Sequence, residues 1–382
     1  MSTPDTLLLV TTSFPRWANG REAAGSFVSD LVMELARHVR VRVVAPGDKA
    51  LLEEIAPRLS VYRYPAPQRR LVNLHPWNPR DAWHILRTLR AGKAALRRAT
   101  SDGQVRHTLA LWALPTGQWA RVVGRKAGIP YSVWMLGSDV WSLGRLPLVR
   151  GVLRNVMRDA RRRYADGLQL ARDSEAICGL PVDFLPTTRS LDTREPPPPA
   201  AAAPYKFVFI GRWHRNKGID LLLDALTLLA DADWECIAEV AIYGGGPLQR
   251  TVYAKAQSLL DAQRPLTIGG FIPKAMAERA IVNADWVLIP SRIESIPVIF
   301  SDAMKLGRPV IAMPVGDLPR LMQNVSCGIL ASEPTDKALA EAVKRALHSA
   351  ANEFSIGIDA QARRFDLATI AADITREAFI GE

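Results

Sequence analysis

The chain has 382 residues, of which 48% are hydrophobic, and carries a formal net charge of +11. That length suits two domains with full cores. No run reaches the about 18 apolar residues of a membrane-crossing helix, and three widely spaced cysteines (Cys178, Cys236, Cys327) fit a reduced, cytoplasmic protein without a disulfide framework or a Cys-x-x-Cys metal site.

Residues 7–12 predict a buried strand, and the short apolar run there lacks the basic segment that opens a signal peptide. Residues 22–38 follow with helical spacing through Phe27, Leu31 and Leu35. Next come a strand over 41–45, a short strand near 61–64 and a basic helix over 81–98. Further strands are predicted over 108–113, 131–135 and 167–170, with helices between. This alternation implies a parallel sheet covered on both faces. Residues 195–204, Glu-Pro-Pro-Pro-Pro-Ala-Ala-Ala-Ala-Pro, cannot form a central strand and read as a semi-rigid hinge over 196–204. The alternation then restarts. Strands are expected over 206–210, 237–243, 286–290 and 309–312, and helices over 218–229 and 297–306. The expected organisation is an N-terminal domain over 1–195 and a C-terminal domain over 205–360. Helices over 335–347 and 358–379 follow, the segment 361–382 crossing back to the first domain. A ligand would sit at the carboxyl ends of the strands, in the crevice between the domains.

Charge divides along the same line. Residues 1–195 hold 30 Lys and Arg against 17 Asp and Glu, while the remainder holds 19 against 21. A basic half beside a near-neutral half points to an anionic partner for the former, or to a merely basic surface.

Three loops of the second half carry the chemistry. Gly211-Arg212-Trp213-His214-Arg215-Asn216-Lys217-Gly218 lies between a strand and a helix. Gly211 permits close backbone approach, Arg212 can grip a phosphate bidentately, and Lys217 adds a compact charge. No Gly-Lys-Ser/Thr follows, so this is not a Walker loop. Tyr243-Gly244-Gly245-Gly246-Pro247 allows nucleotide contact at Gly245 and Gly246, yet lacks the third spaced glycine of a dinucleotide fingerprint. In Pro290-Ser291-Arg292-Ile293-Glu294-Ser295-Ile296-Pro297, Pro297 suits a first helical turn. Glu294 thus precedes the helix, and Asp302 lies eight residues on, roughly 12 Å at helical rise. Two carboxylates so spaced can hold opposite ends of a nucleotide-sugar, with diphosphate at the helix N-terminus between them. Taken singly, Glu294 is also an ordinary helix-start acid and Asp302 a residue of a solvated face; the ordered set of three loops argues otherwise.

These residues resemble the donor-binding domain of retaining glycosyltransferase family 4. The resemblance implies an α/β protein of the GT-B fold, two Rossmann-like doubly wound domains facing a deep interdomain cleft. Arg212 and Lys217 match the family's diphosphate loop, and Glu294 the first acid of its Glu-x7-Glu motif, which contacts the transferred sugar. Asp302 replaces the second acid, which holds the ribose. The resemblance places the main chain of Ser295, Ile296 and Val298 over the phosphates, and Phe271 and Ile272 in the base-binding turn. Its opening glycine loop corresponds to Gly25 in Thr12-Ser13-Phe14-Pro15-Arg16…Gly25-Ser26-Phe27.

Two departures stand out. Leu111-Trp112-Ala113-Leu114-Pro115-Thr116-Gly117 resembles a segment that usually reads His-Trp-x-x-Pro-x-Gly, and Leu136-Gly137-Ser138-Asp139-Val140 one that usually reads His-Gly-Ser-Asp-Val. Leu136 cannot hydrogen-bond the donor sugar. Asp139 remains a candidate catalytic carboxylate, or a cap of the helix it opens together with Ser138. In the mechanism the resemblance implies, the leaving phosphate takes the acceptor's proton through an oxocarbenium-like state, so Arg212 and Lys217 would still act. The histidines show no ligand spacing, and neither a metal nor a cofactor is expected.

The implied reaction moves a sugar from a UDP- or GDP-type donor to a saccharide or lipid-linked acceptor. The alternatives are an impaired pseudoenzyme or partner subunit in polysaccharide assembly, and an epimerase of the same fold, which the histidine-poor first half disfavours. No nucleic-acid-binding motif is present. The positive charge gathers in two clusters: Arg69, Arg70, Arg80, Arg87, Arg90, Lys93, Arg97 and Arg98, then Arg145, Arg150, Arg154, Arg158 and Arg161 to Arg163. The second accompanies Leu146, Leu148, Val149, Val152, Leu153, Val156 and Met157. It reads either as a helix on the anionic inner face of a membrane or as a packing helix with a basic outer side.

Overall fold

The computed structural model describes residues 5–15, 25–67, 74–75, 77–193 and 195–379. Arg16, residues 22–24, Arg69, Arg70 and the last three residues of the 361–382 segment lie outside them, as do the side chains of Ser26 and Leu148. The chain forms two compact units, one running to Arg189 and resuming at Leu367, the other spanning Ser190–Asp366.

In chain order the first unit comprises β1 (Thr6–Val10), α1 (Ser26–His38), β2 (Arg40–Gly47), β3 (Leu51–Ala56), β4 (Leu59–Pro65), α2 (Pro79–Ala99), β5 (Val105–Leu111), α3 (Gln118–Ala127), β6 (Tyr131–Met135), α4 (Ser138–Trp141), α5 (Pro147–Asp159), β7 (Arg163–Ala165), α6 (Leu168–Cys178) and β8 (Asp183–Phe184). The strand order is β3-β4-β2-β1-β5-β6-β7-β8. All neighbours are parallel except the hairpin β3–β4. β1 is apolar on both sides because both faces are covered. Leu7 and Leu9 join α1 in one core cluster, and Leu8 and Val10 join Leu96 and Trp119 of α2 and α3 in another.

Two expectations are corrected here. The strand predicted over 167–170 is instead the start of helix α6, whose buried Leu170, Ala171, Ser174, Ile177 and Cys178 recur at helical spacing. The true strand, β7, begins four residues upstream and is only three long. β3 was not foreseen; it is an exposed edge strand rich in Leu and Glu, residues that favour helix in isolation.

The second unit comprises β9 (Tyr205–Arg212), α7 (Ile219–Thr227), α8 (Asp231–Glu235), β10 (Ile237–Gly245), α9 (Gln249–Asp261), β11 (Leu266–Gly269), α10 (Lys274–Val282), β12 (Trp286–Ile289), α11 (Val298–Lys305), β13 (Val310–Ala312), α12 (Leu318–Gln323), β14 (Gly328–Leu330), α13 (Asp336–Leu347) and α14 (Ser355–Arg364). Its strand order, β11-β10-β9-β12-β13-β14, is parallel throughout. The chain builds outward from β9 to one side and then returns to build from β12 to the other. The order therefore reverses between β9 and β12, where such sheets leave a crevice.

The proline run is not the boundary between the compact units. It is fastened along the second unit. Buried Glu278 accepts the amide N–H groups of Asp192, at 3.1 Å, and of Thr193. Asp285 accepts those of Ala200 and Lys206, both at 2.8 Å. The Arg308 guanidinium, also buried, donates to Pro197 O at 2.8 Å and Val282 O at 2.5 Å. The helix expected over 358–379 is two: α14 stops at Arg364, and α15 (Leu367–Phe379) begins after Phe365, which is buried against Phe300. α15 belongs to the first unit, where Leu367, Ile370, Ala371 and Ile374 enter the cluster of α1.

Candidate functional site

The carboxyl edge of the second sheet is assembled by glycines. Gly218 has φ 70°, and a Cβ there would lie 1.8 Å from Pro290 O. Only glycine lets the loop after β9 touch the end of β12. Asn216 O accepts the Arg292 amide at 2.8 Å, a second tie between these loops. Arg292 itself donates to Asp220 at 2.7 and 3.0 Å and to Arg215 O at 2.9 Å. Burial would raise the Asp220 carboxyl, yet the facing guanidinium holds it below the usual carboxylate range.

The triple-glycine turn docks beside them. Gly211 and Gly244 are register partners, and a Cβ on Gly244 would meet Gly211 O at 1.9 Å. Trp213, buried, clamps this turn: its N–H donates to Gly245 O at 2.9 Å and its carbonyl accepts the Leu248 N–H at 3.0 Å. Gly244 N donates to Gly270 O at 3.1 Å, which brings in the loop carrying Phe271, exposed, and Ile272, half-buried. On the other side Gly316, φ 57°, lies under the Glu294 and Ser295 carbonyls, and Asp317 N donates to Ser295 O at 3.0 Å. The loops after β9, β10, β11, β12 and β13 are thus one continuous surface.

On that surface Lys217 Nζ and the Glu294 carboxylate form an ion pair, both partly exposed. Arg212 is exposed at the last position of β9 and makes no ion pair among the described residues. Val298 opens α11 and is exposed; Ser295 and Ile296 are half-buried. The Ser295 hydroxyl and the Trp213 indole N–H are buried without a partner among the described residues, donors left for something polar. Asp302 departs from the solvated-face alternative: it is fully buried in α11.

Of the residues marked in the sequence, Lys217 and Glu294 touch, Gly211, Arg212, Gly245 and Gly246 adjoin them through the strand register and turn, and Phe271 and Ile272 follow through Gly270. Gly25 and Asp139 belong to the first unit. Gly25, φ 86°, caps α1, and a Cβ would press 2.9 Å from Phe14 and Ser13 backbone. Asp139 is turned inward: its Oδ2 accepts the Ala113 amide at 2.6 Å, tying the loop after β6 to that after β5. Burial pushes its carboxyl up to about 6, against the lowering pull of surrounding main-chain N–H groups. Ser138 makes no side-chain cap. Leu111 is fully buried and Leu136 packs on the same apolar cluster.

Sequence reasoning missed Arg292–Asp220, Trp213 as clamp, and Gly316. The first pair is 72 residues apart in sequence; Gly316, by contrast, follows a strand end and had a local signal. Among the described residues no three His, Cys, Asp or Glu side chains gather as metal ligands, and no helix is long and apolar enough to cross a membrane.

Residues 204–349 match the family of glycosyl transferases group 1. A Bacillus subtilis protein named as a teichuronic acid biosynthesis glycosyltransferase is 26% identical over 252 residues, covering 62% of this chain and 60% of its own. The D-inositol 3-phosphate glycosyltransferase of Corynebacterium glutamicum is 30% identical over 172 residues, 44% of this chain and 41% of its own. The chain thus spans less than two thirds of these relatives. The solved structure of sucrose-phosphate synthase from Thermosynechococcus elongatus superposes over 97% of this chain and 98% of its own, with TM-score 0.70 and 19% identity. The fold is GT-B, two α/β domains each with a mainly parallel sheet.

Proposed function

We propose that the protein is a glycosyltransferase of the retaining, family 4 type. It moves a sugar from a UDP- or GDP-linked donor, held by the second unit, to a saccharide or lipid-linked acceptor, held by the first. The observation that carries this reading is the Lys217–Glu294 pair at the strand-order reversal between β9 and β12. A cation and a carboxylate side by side on a glycine-built edge suit the two halves of a sugar diphosphate.

In this reading Arg212 and Lys217 meet the diphosphate, and the N-terminus of α11 behind Ser295, Ile296 and Val298 adds its dipole. Diphosphate competes for Lys217 and frees Glu294 to accept sugar hydroxyls. Phe271 and Ile272 bear on the base; the ribose role expected of Asp302 falls away, because its side chain is fully enclosed in α11. The bond from the anomeric carbon to the β-phosphate oxygen breaks, and a bond to the acceptor oxygen forms on the same face. The acceptor's proton passes to the departing diphosphate, whose charge Arg212 and Lys217 hold. No step requires a metal. Asp139, buried on the Ala113 amide, acts as a positioning residue. We place the enzyme in the cytoplasm, in cell-surface polysaccharide synthesis, with an anionic membrane face as partner of its basic half.

Calorimetry with UDP, GDP, ADP and dTDP, on wild type and Arg212→Ala, tests the donor site. One nucleotide should bind and weaken in the variant; no binding by any of the four would overturn the reading. Binding without transfer of sugar would favour the partner-subunit alternative, for which Leu136 in place of a histidine is the motive.

A further inference from the structure

Of the two basic clusters, the one with apolar companions in its sequence turns those companions inward. Leu153, Val156 and Met157 of α5 are fully buried, and Arg154 Nε is spent on Ile177 O at 3.1 Å. α2 is the reverse case. Its inner side is small and packed: Gly92 lies against the Trp119 ring, and Thr88, Ala95 and Leu96 are buried. Its outer side carries Trp83, 53% exposed, and Leu86, 47% exposed. At 100° per residue, Arg80, Trp83, Leu86, Arg87, Arg90 and Arg97 fall within an arc of about 120°. Arg87 lies over the Trp83 ring, 5.1 Å from its centroid, so the indole stands at the surface beside a guanidinium. Trp77, just before the N-cap Asn78, is 85% exposed. The helix has one acid, Asp81, which is buried and accepts the His75 N–H at 3.0 Å. Its outer face is therefore cationic with no counter-charge of its own and bears one indole, with a second exposed just ahead of the helix.

We infer that this face of α2 is the surface by which the protein docks on a bilayer of anionic lipid. Indoles prefer the level of the headgroups, where the ring is apolar and the N–H is wet. Arginines on the same arc reach lipid phosphate while their stems lie along the apolar boundary. The pattern is that of a helix lying in the interface, not of a groove reading bases, which would present aromatic rings along a cleft. The inference sharpens the membrane partner of the reading above by naming the element that meets it. It does not depend on sugar transfer.

Flotation of the full chain with vesicles of phosphatidylcholine, with and without phosphatidylglycerol, tests it. The chain should float only with the anionic vesicles, and less as salt rises. Arg90→Gln with Arg97→Gln should lower partitioning about thirtyfold, from two charges lost near an anionic surface. Trp77→Ala with Trp83→Ala should lower it at least about tenfold with the salt slope unchanged. These side chains are exposed, and unchanged thermal melts would verify folding. Flotation unaltered by both double variants, or lost instead in Arg150→Gln with Arg158→Gln on α5, would overturn the assignment. So would failure to float with anionic vesicles, or retention on an oligonucleotide that vesicles cannot displace. Transfer to a soluble saccharide, measured on the same variants, should be unchanged, which keeps this result separate from the catalytic one.

Discussion

The two sheets of this protein end their strands differently. Where the order reverses in the second unit, the edge is polar and partly open: Lys217 and Glu294 stand on loops that glycines hold together, and Arg212 ends β9 beside them. In the first unit the order reverses between β1 and β5, and the nearby loops are sealed by Leu111, Leu136 and an inward Asp139. A reversal of strand order leaves charged side chains open in one unit and closes the corresponding loops in the other. The difference lies in side chains at a few loop positions, and four measurements would break or sharpen it.

The largest effect is expected in the second unit. Lys217→Ala or Glu294→Gln should each lower the sugar-transfer rate about 10²- to 10³-fold, the magnitude typical of a lost charge-stabilising group; a loss below about fivefold would remove the pair from the chemistry. Gly218→Ala should destabilise by about 3–4 kcal/mol in denaturant melts, because its Cβ meets Pro290 O at a left-handed φ. Gly25→Ala, with a gentler 2.9 Å clash, should cost less.

Asp139 gives the first unit a pH signature. Its folded carboxyl, at about 6, keeps the proton more tightly than the ordinary value of 3.8 allows. Ionising it therefore opposes folding. Relative to Asp139→Asn, wild type should lose up to about 3 kcal/mol as pH rises from about 4 to about 6, then run parallel. Parallel curves throughout would mean the carboxyl is not desolvated as the burial indicates. The smallest effect compares the two leucines. Leu111→His should cost about 2 kcal/mol more than Leu136→His, since only the former is fully enclosed; equal melts would place both at the surface.

Much of this was legible in the sequence. Tyr131–Met135 is apolar and β-rich, and its strand falls where it was expected. The glycine loops announced themselves because close approach admits nothing larger. The 163–170 stretch misled because Leu168 and Leu170 alternate as in a strand, while the spacing that makes α6 helical appears only through Cys178. Asp302 was invisible as a buried group, since helix spacing does not say what packs on a face. Arg292–Asp220 and Trp213 act through partners far along the chain, and single-sequence patterns are local. The exposure of Trp83 follows from Gly92 and Trp119 on the opposite side of α2, which takes three-dimensional packing to see.

The fastening of residues 192–200 bears on how such proteins exchange parts. A recombinant that joined a foreign first half at the proline run would strip Glu278, Asp285 and Arg308 of the main chain they hold. A seam that respects the contacts falls at 189/190. Because α15 completes the core of the first unit, a second seam is needed at 366/367. The second unit is therefore an insertion within its companion, and hybrids of this protein require two crossovers, the second at the point where the chain returns.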